Sequence, residues 1–357
     1  MYIPSHINPI IKLTESCNYN CYFCRYANHR QKDSGIPVDL ASTMIEQCAN
    51  YNIEKHFPHM NIIFHGGEPL LYGVPRFSEI VENIHKVEKK GIDISLSIQT
   101  NASLLDEKWI CFFADNHFSV GISLDGPSGM NGHIGKSDEQ SQQDAIKAYH
   151  LLTNRGIDCG FLCVITNNHI SDPERFLNFF IDNKVETIGL CYCYNELDDE
   201  NVNPYQLGVF LKSLYDLYYS TKKRIRIREF DMATRFILHR PKHECAMSCR
   251  SSCGTFLTIT PNGNVEFCDD YNLERRGSLG NILETSLSEM IIGEKYQTKR
   301  REATEIINRY CESCDVYSIC RSGCMRNDNS KGNYFCETYK LIYPYIKERV
   351  LLHTQHN

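Results

Sequence analysis

Residues 13–26 read LTESCNYNCYFCRY. Cys17, Cys21 and Cys24 stand in a Cys-x3-Cys-x2-Cys spacing, and Phe23 directly precedes the third thiol. Thiolates bind soft metals, and three of them on one short loop can hold three irons of a 4Fe-4S cluster while the fourth iron stays open to another ligand. A Cys3His zinc knuckle completed by His29, or a set of buried thiols, are the competing readings of the loop taken alone.

Outward from this loop, short apolar runs alternate with amphipathic segments. Strands are expected at 10–14, 61–65, 93–99, 118–124, 158–165 and 187–192, most of them nearly continuous apolar runs as for strands covered on both faces. Helices are expected at 41–51, 77–90, 106–113, 142–154, 172–181 and 204–219. Six βα repeats predict an α/β fold, a partial (β/α)6 TIM-type barrel, whose chemistry gathers on the loops after the strand C-terminal ends. The cysteine loop follows the first strand. After RIRIREF (224–230) the apolar periodicity weakens and cysteine, glycine and turn residues take over, so a domain boundary is expected near 235, giving domains 1–235 and 236–357.

Composition excludes several classes. The chain has 357 residues, 42% hydrophobic, enough for a barrel-sized domain and a smaller one without covalent staples. A formal charge of −6 and the lack of a long lysine or arginine run leave no footprint for nucleic acid. The start, MYIPSHINPIIKLT, is no signal peptide and no stretch approaches membrane-span length, so no membrane partner and a cytoplasmic location are expected. In a reducing compartment, eighteen cysteines read as metal ligands or buried thiols.

Three segments sit at the ends of successive strands: HGGEP (65–69), SIQTNAS (97–103) and SLDGP (123–127). The paired glycines allow close backbone approach to a ligand, and Glu68 can receive an ammonium. With these segments in place, the sequence resembles the radical S-adenosylmethionine enzymes, whose signature matches Cys17, Cys21, Phe23 and Cys24. The resemblance implies that S-adenosylmethionine chelates the open iron and is cleaved to a 5′-deoxyadenosyl radical. It also implies that Gly66, Gly67 and Glu68 hold the methionine ammonium, that Gln99, Asn101 and Ser123 contact the cosubstrate, and that LCVIT (162–166) lies where the family packs adenine.

The second half reads Cys311-x2-Cys314-x5-Cys320-x3-Cys324 with Cys336 downstream, and Cys253-x9-Gly263-x4-Cys268 before it. A zinc ribbon accounts for one Cys-x2-Cys pair and leaves the other cysteines unexplained. The whole pattern is similar to the SPASM extension of radical S-adenosylmethionine enzymes that modify peptides and proteins. It implies two auxiliary 4Fe-4S clusters, three clusters in all. The first would use Cys253, Cys268, Cys324 and an upstream cysteine, Cys249 in preference to Cys245; the second would use Cys311, Cys314, Cys320 and Cys336. Cys48, Cys111, Cys159, Cys163, Cys191 and Cys193 are expected to be small core residues.

The resemblance is nearest to anaerobic sulfatase-maturase-like proteins and implies a peptide or protein substrate and an external flavodoxin- or ferredoxin-type reductant. Asp269, directly after Cys268, matches the position of their proposed catalytic aspartate, with Asp270 its nearest rival. After SLDGP those maturases carry a His-Asp pair and an arginine, whereas this chain reads SGMNGHIGKSDEQ. The leading expectation is therefore a radical enzyme that oxidatively modifies, by cross-linking first of all, a ribosomally made peptide. The second is a sulfatase maturase forming formylglycine. A non-catalytic iron-sulfur carrier is third, since a carrier has no need of HGGEP.

Overall fold

A computed structural model of the chain describes residues 1–24, 35–194, 201–221, 225–240, 250–269 and 277–355. Six βα units run in order among them: β1 (Ile10–Lys12) and α1 (Val38–Glu54), β2 (His59–His65) and α2 (Val74–Glu88), β3 (Asp93–Thr100) and α3 (Glu107–Asp115), β4 (Ser119–Ser123) and α4 (Asp138–Asn154), β5 (Cys159–Ile165) and α5 (Pro173–Asp182), and β6 (Thr187–Tyr192) and α6 (Pro204–Ser220). After them come β7 (Arg226–Ile227), α7 (Arg228–Ile237), β8 (Thr258–Ile259), β9 (Asn264–Glu266), β10 (Gly280–Asn281), α8 (Leu287–Ile292), α9 (Glu294–Tyr310), α10 (Tyr317–Cys320), β11 (Asp328–Asn329), β12 (Gly332–Asn333) and α11 (Cys336–Gln355). Local chemistry fixes the starts of several helices. Asp106 and Asp172 accept hydrogen bonds from the Trp109 and Arg175 amides, satisfying N–H groups that α3 and α5 cannot pair internally.

The chain divides into two compact units. The first is Met1–Ser123, His133–Cys159 and Gly254–Arg301. Within it β1 to β4 are parallel neighbours in sequence order. On the other side of β1 the late strand β8 pairs in parallel, and β9 and β10 extend it antiparallel. Its core is an aromatic cluster in which Phe77 meets Phe64 and Trp109 edge to face at 5.1 and 5.3 Å. The strands differ from the continuous apolar runs expected of them. In β2, Met60, Ile62 and Phe64 are buried while Asn61, Ile63 and His65 are partly exposed, so one face of the strand is left for polar groups. Lys12, in the middle of apolar sequence, is 1% exposed.

The second unit is Leu124–Gly132, Gly160–Cys253 and Glu302–Asn357. In it β5, β6 and β7 are parallel neighbours, and α11 packs on α6 and α7. Gly208 permits the close approach of α11, since a Cβ there would lie 2.7 Å from Leu341. Of the cysteines expected in the core, Cys48 and Cys163 are buried. Cys111, Cys159 and Cys191 are partly exposed because they fall on the less covered faces of their elements, and Cys193, just past β6, is partly exposed as well. His29, Cys245, Cys249 and Asp270 lie outside the described residues.

Candidate active site

The cysteine loop leaves β1 directly after Lys12 and is fastened at several points. The Tyr19 amide donates to Cys17 Sγ at 3.4 Å, and the Asn20 amide donates to the Ile134 carbonyl at 2.9 Å. The buried Tyr19 ring seats on Gly135, where a Cβ would come within 2.5 Å of it. Phe23 meets His133 edge to face at 4.9 Å. Asn18 accepts from Asn101 Nδ2 at 2.9 Å and donates to Ser103 Oγ at 2.8 Å. Cys21 is buried and Cys17 and Cys24 are half-buried. A soft, three-thiol donor set with an N–H directed at one sulfur fits an iron-sulfur cluster, whose properties depend on such hydrogen bonds.

The HGGEP turn docks on this loop. The Gly67 and Glu68 amides donate to the Thr14 and Ser16 carbonyls at 3.1 and 2.8 Å. Gly66 has φ +130°, and a Cβ on Gly67 would lie 1.9 Å from the Ser16 carbonyl oxygen, so no side chain fits there. The close approach expected of these glycines is thus made to the chain's own backbone at the entry to the cysteine loop. Glu68 is buried and pinned by three donors: the Leu70 amide and Thr100 Oγ1 on Oε1, at 3.0 and 2.6 Å, and the Asn101 amide on Oε2 at 2.8 Å. Burial pushes its carboxyl up, and the three hydrogen bonds act the other way. Glu68→Gln should therefore destabilise the protein by about 1–3 kcal/mol, because either amide orientation sets an NH2 against a donor that then goes unpaired. Anaerobic urea unfolding measures this, and an unchanged midpoint contradicts it.

Gln99 Nε2 donates to Ser123 Oγ at 2.8 Å, and Gly121 makes room for it, since a Cβ there would lie 2.0 Å from Gln99 Oε1. The β2 and β3 loops and the stretch from His133 to Gly135 thus join the cysteine loop in one group of contacts within the first unit. This brings together Cys17, Phe23, Gly66, Gly67, Glu68 and Asn101, with the Gln99–Ser123 pair beside them on β3 and β4.

Asp269 reaches the same unit from far along the chain. It follows Cys268 just after β9, and β9 is carried beside β1 by β8. Its Oδ1 is 2.6 Å from Lys12 Nζ, and its Oδ2 is 2.5 Å from His65 Nδ1. Burial alone pushes the Asp269 carboxyl up, but Lys12 and then His65 overcome that and hold it well below the usual carboxylate range. In the sequence His65 stands within HGGEP with no role of its own, and Lys12 belongs to no motif. The signal for Lys12 was a lone charge inside an apolar strand.

In the second unit, Cys311, Cys314 and Cys336 lie near Cys320. Burial first, then the charges of those three thiols, push the Cys320 thiol up to about 12, although a backbone hydrogen bond at Ser322 works against the rise. A cationic iron core offsets that repulsion and deprotonates its ligands, so the donor set fits a cluster. Among the described residues no group of three or more His, Cys, Asp or Glu is gathered as for a single metal ion.

These features define a radical S-adenosylmethionine enzyme with a C-terminal SPASM domain. The radical SAM superfamily matches residues 11–180, and the iron-sulfur cluster-binding domain SPASM matches residues 249–315. The chain is 28% identical over 362 residues to the cysteine-type anaerobic sulfatase-maturating enzyme of Clostridium perfringens, covering 95% of each. It is 24% identical to the serine-type enzyme of Bacteroides thetaiotaomicron, covering 92% of this chain and 86% of that one. The solved structure of native anSMEcpe with AdoMet and the Cp18Cys peptide superposes with a TM-score of 0.84 at 26% identity, covering 98% of this chain and 99% of that one.

The fold is therefore the expected partial (β/α)6 TIM-type barrel followed by a SPASM domain, and the protein is a radical S-adenosylmethionine enzyme. Its cofactors are S-adenosylmethionine and 4Fe-4S iron-sulfur clusters. Of the two enzymatic expectations, sulfatase maturation has more support than the cross-linking of a ribosomally made peptide that the sequence reading put first. The residues after SLDGP that argued for the latter are a local departure within a similarity that spans the chain. No helix among the described residues is long and apolar enough to cross a membrane. Anaerobically reconstituted protein should hold about twelve irons, from three clusters of four. Iron analysis that saturates near four, or finds only zinc, contradicts the count.

Proposed function

We propose that this chain is a cysteine-type anaerobic sulfatase-maturating enzyme that oxidises a cysteine of a sulfatase to formylglycine. The observation that carries this is the end-to-end similarity to the cysteine-type enzyme, 28% identical, above that to the serine-type enzyme, 24% identical. When bound, the cluster of Cys17, Cys21 and Cys24 and S-adenosylmethionine supply hydrogen-atom abstraction. The remaining chemistry balances simply. The substrate cysteine loses a hydrogen atom from Cβ, a proton from sulfur and an electron, for which an auxiliary iron-sulfur cluster would be the acceptor, and water then replaces the sulfur, released as hydrogen sulfide.

The chain's own residues hold the cosubstrate and take the proton. Phe23, Gly66, Gly67, Glu68, Gln99, Asn101 and Ser123 are assigned to S-adenosylmethionine. Asp269 is assigned the proton step, and the geometry supports its acting with His65. In the tautomer with hydrogen on Nδ1, His65 donates to Asp269 Oδ2 and keeps Nε2 as the acceptor, while the carboxylate stabilises the imidazolium that forms. The His65 side chain is 35% exposed and that of Asp269 11%, which favours the ring as the group a substrate meets. The first auxiliary cluster is assigned to Cys249, Cys253, Cys268 and Cys324, and the second to Cys311, Cys314, Cys320 and Cys336. The radical core is assigned to 1–235 and the auxiliary-cluster domain to 236–357. The enzyme is placed in the cytoplasm with a flavodoxin- or ferredoxin-type one-electron donor.

The test is to incubate the reduced, reconstituted protein with S-adenosylmethionine and peptides bearing a sulfatase's active-site cysteine, or serine in its place. Conversion of the cysteine peptide to the aldehyde, read by mass and by hydrazine capture, is expected. Formation of 5′-deoxyadenosine with both peptides unchanged, while a small ribosomal peptide from the same genome is modified, overturns it.

A further inference from the structure

Two short turns in the second unit each carry a cysteine assigned to the first auxiliary cluster. Arg250–Ser252 is a 3-10 turn leading straight into Cys253, whose amide donates to the Arg250 carbonyl at 3.1 Å. Cys324 caps a second 3-10 turn, Met325–Asn327, which ends at Asp328. Arg250 and Asp328 tie the turns together. Arg250 Nη1 and Nη2 donate to the two Asp328 oxygens at 2.6 Å each, and Nη2 also donates to the Ser322 carbonyl at 2.9 Å. Asn333 Nδ2 braces the second turn by donating to the Cys324 carbonyl at 2.8 Å.

The Arg250 side chain is 2% exposed, among the most completely buried large side chains of the protein. Its pairing with Asp328 is end-on. That choice occupies Nη1 and Nη2 and leaves Nε–H with no partner among the described residues, although it is fully buried. A buried donor without an acceptor costs about 1–3 kcal/mol. Burial disfavours the guanidinium charge, Asp328 restores it, and the thiols of Cys253 and Cys324 are near enough to add to that effect. The guanidinium that carries the orphan donor is thus held between the turn that leads into Cys253 and the turn that Cys324 caps.

We infer that Arg250 Nε–H is a hydrogen-bond donor to a sulfur of the first auxiliary cluster, and that the Asp328 pair holds it in place. Since the guanidinium charge is balanced by Asp328, the effect on the cluster is local. An N–H directed at a cluster sulfur stabilises the more negative, reduced state and raises the reduction potential. Arg250 is thus a positioning and tuning residue that favours acceptance of an electron by this cluster. The inference rests on the assignment of Cys253 and Cys324 to one cluster. Cys253→Ser and Cys324→Ser, each expected to remove the same cluster spectrum and about four irons, test that assignment separately.

The experiment uses the full chain with Cys17, Cys21 and Cys24 replaced by alanine, so that only the auxiliary clusters respond, with 15N-labelled arginine. Reduced samples should show a 15N coupling at one of the two clusters by electron-nuclear double resonance, and its absence overturns the proposal. Arg250→Lys keeps the charge and removes Nε–H. It should shift the oxidised-to-reduced ratio of that cluster about tenfold toward oxidised at a given potential, a fall of about 59 mV for a one-electron couple, and leave the other cluster unmoved. Two unchanged midpoints with both clusters loaded overturn the proposal as well. If Arg250→Lys fails to load its cluster, the 15N measurement on the unsubstituted arginine decides alone.

Discussion

Replacing Cys17, Cys21 and Cys24 together by alanine should abolish cleavage of S-adenosylmethionine and leave the auxiliary-cluster absorbance largely intact. The three thiols stand on one loop, while Cys311, Cys314, Cys320 and Cys336, which we assign to the second auxiliary cluster, lie within the other compact unit. Alanine at Cys17 removes the Tyr19 amide contact to its Sγ. The Asn18, Asn20 and Phe23 contacts remain. Anaerobic assay of 5′-deoxyadenosine with optical and EPR spectra reads both parts of the prediction. Product at the level of the parent protein removes these cysteines from the cofactor site. Loss of the auxiliary signals in the variant contradicts the assignment of separate cysteine sets.

Asp269→Asn should leave 5′-deoxyadenosine formation in place and lower peptide modification on the order of a hundredfold or more, the usual scale for losing general base catalysis. Asparagine keeps the shape but carries no charge to set against Lys12, which is 1% exposed and 2.6 Å from Asp269 Oδ1. The variant is therefore compared at equal cluster content, so that a folding defect is not read as a catalytic one. His65→Gln separates the two ways in which the proton can be taken. Gln can still donate to Asp269 but offers no basic ring nitrogen, so a comparable loss assigns the acceptor to His65, and near-normal modification assigns it to Asp269 alone. Unchanged modification in Asp269→Asn with all clusters present takes the aspartate out of the mechanism.

The position of Asp269 shows the reach of sequence reading. It was singled out because it follows Cys268 in a recognisable cysteine spacing, yet its partners Lys12 and His65 were not. The His65 contact spans 204 residues, and no periodicity or spacing links positions so far apart. The Arg250–Asp328 pair spans 78 residues and was equally silent, since an isolated arginine and an isolated aspartate read as solvated charges until burial is known.

By itself the sequence determined the six βα repeats, the helix starts at Asp106 and Asp172, the place of the cysteine loop after β1 and that of HGGEP after β2. These depend on side-chain period, capping and glycine, all of which act within a few residues of chain. Only the tertiary structure decided that β8 to β10 leave the cysteine-rich second half and join the sheet beside β1. It also decided that Gly67 gives its space to the Ser16 carbonyl, and that the charge of Lys12 is spent on Asp269 inside the first unit. The physical reason is that strand pairing across distant segments and the desolvation of a charge are set by what packs around a residue, and the neighbours in sequence carry no record of it.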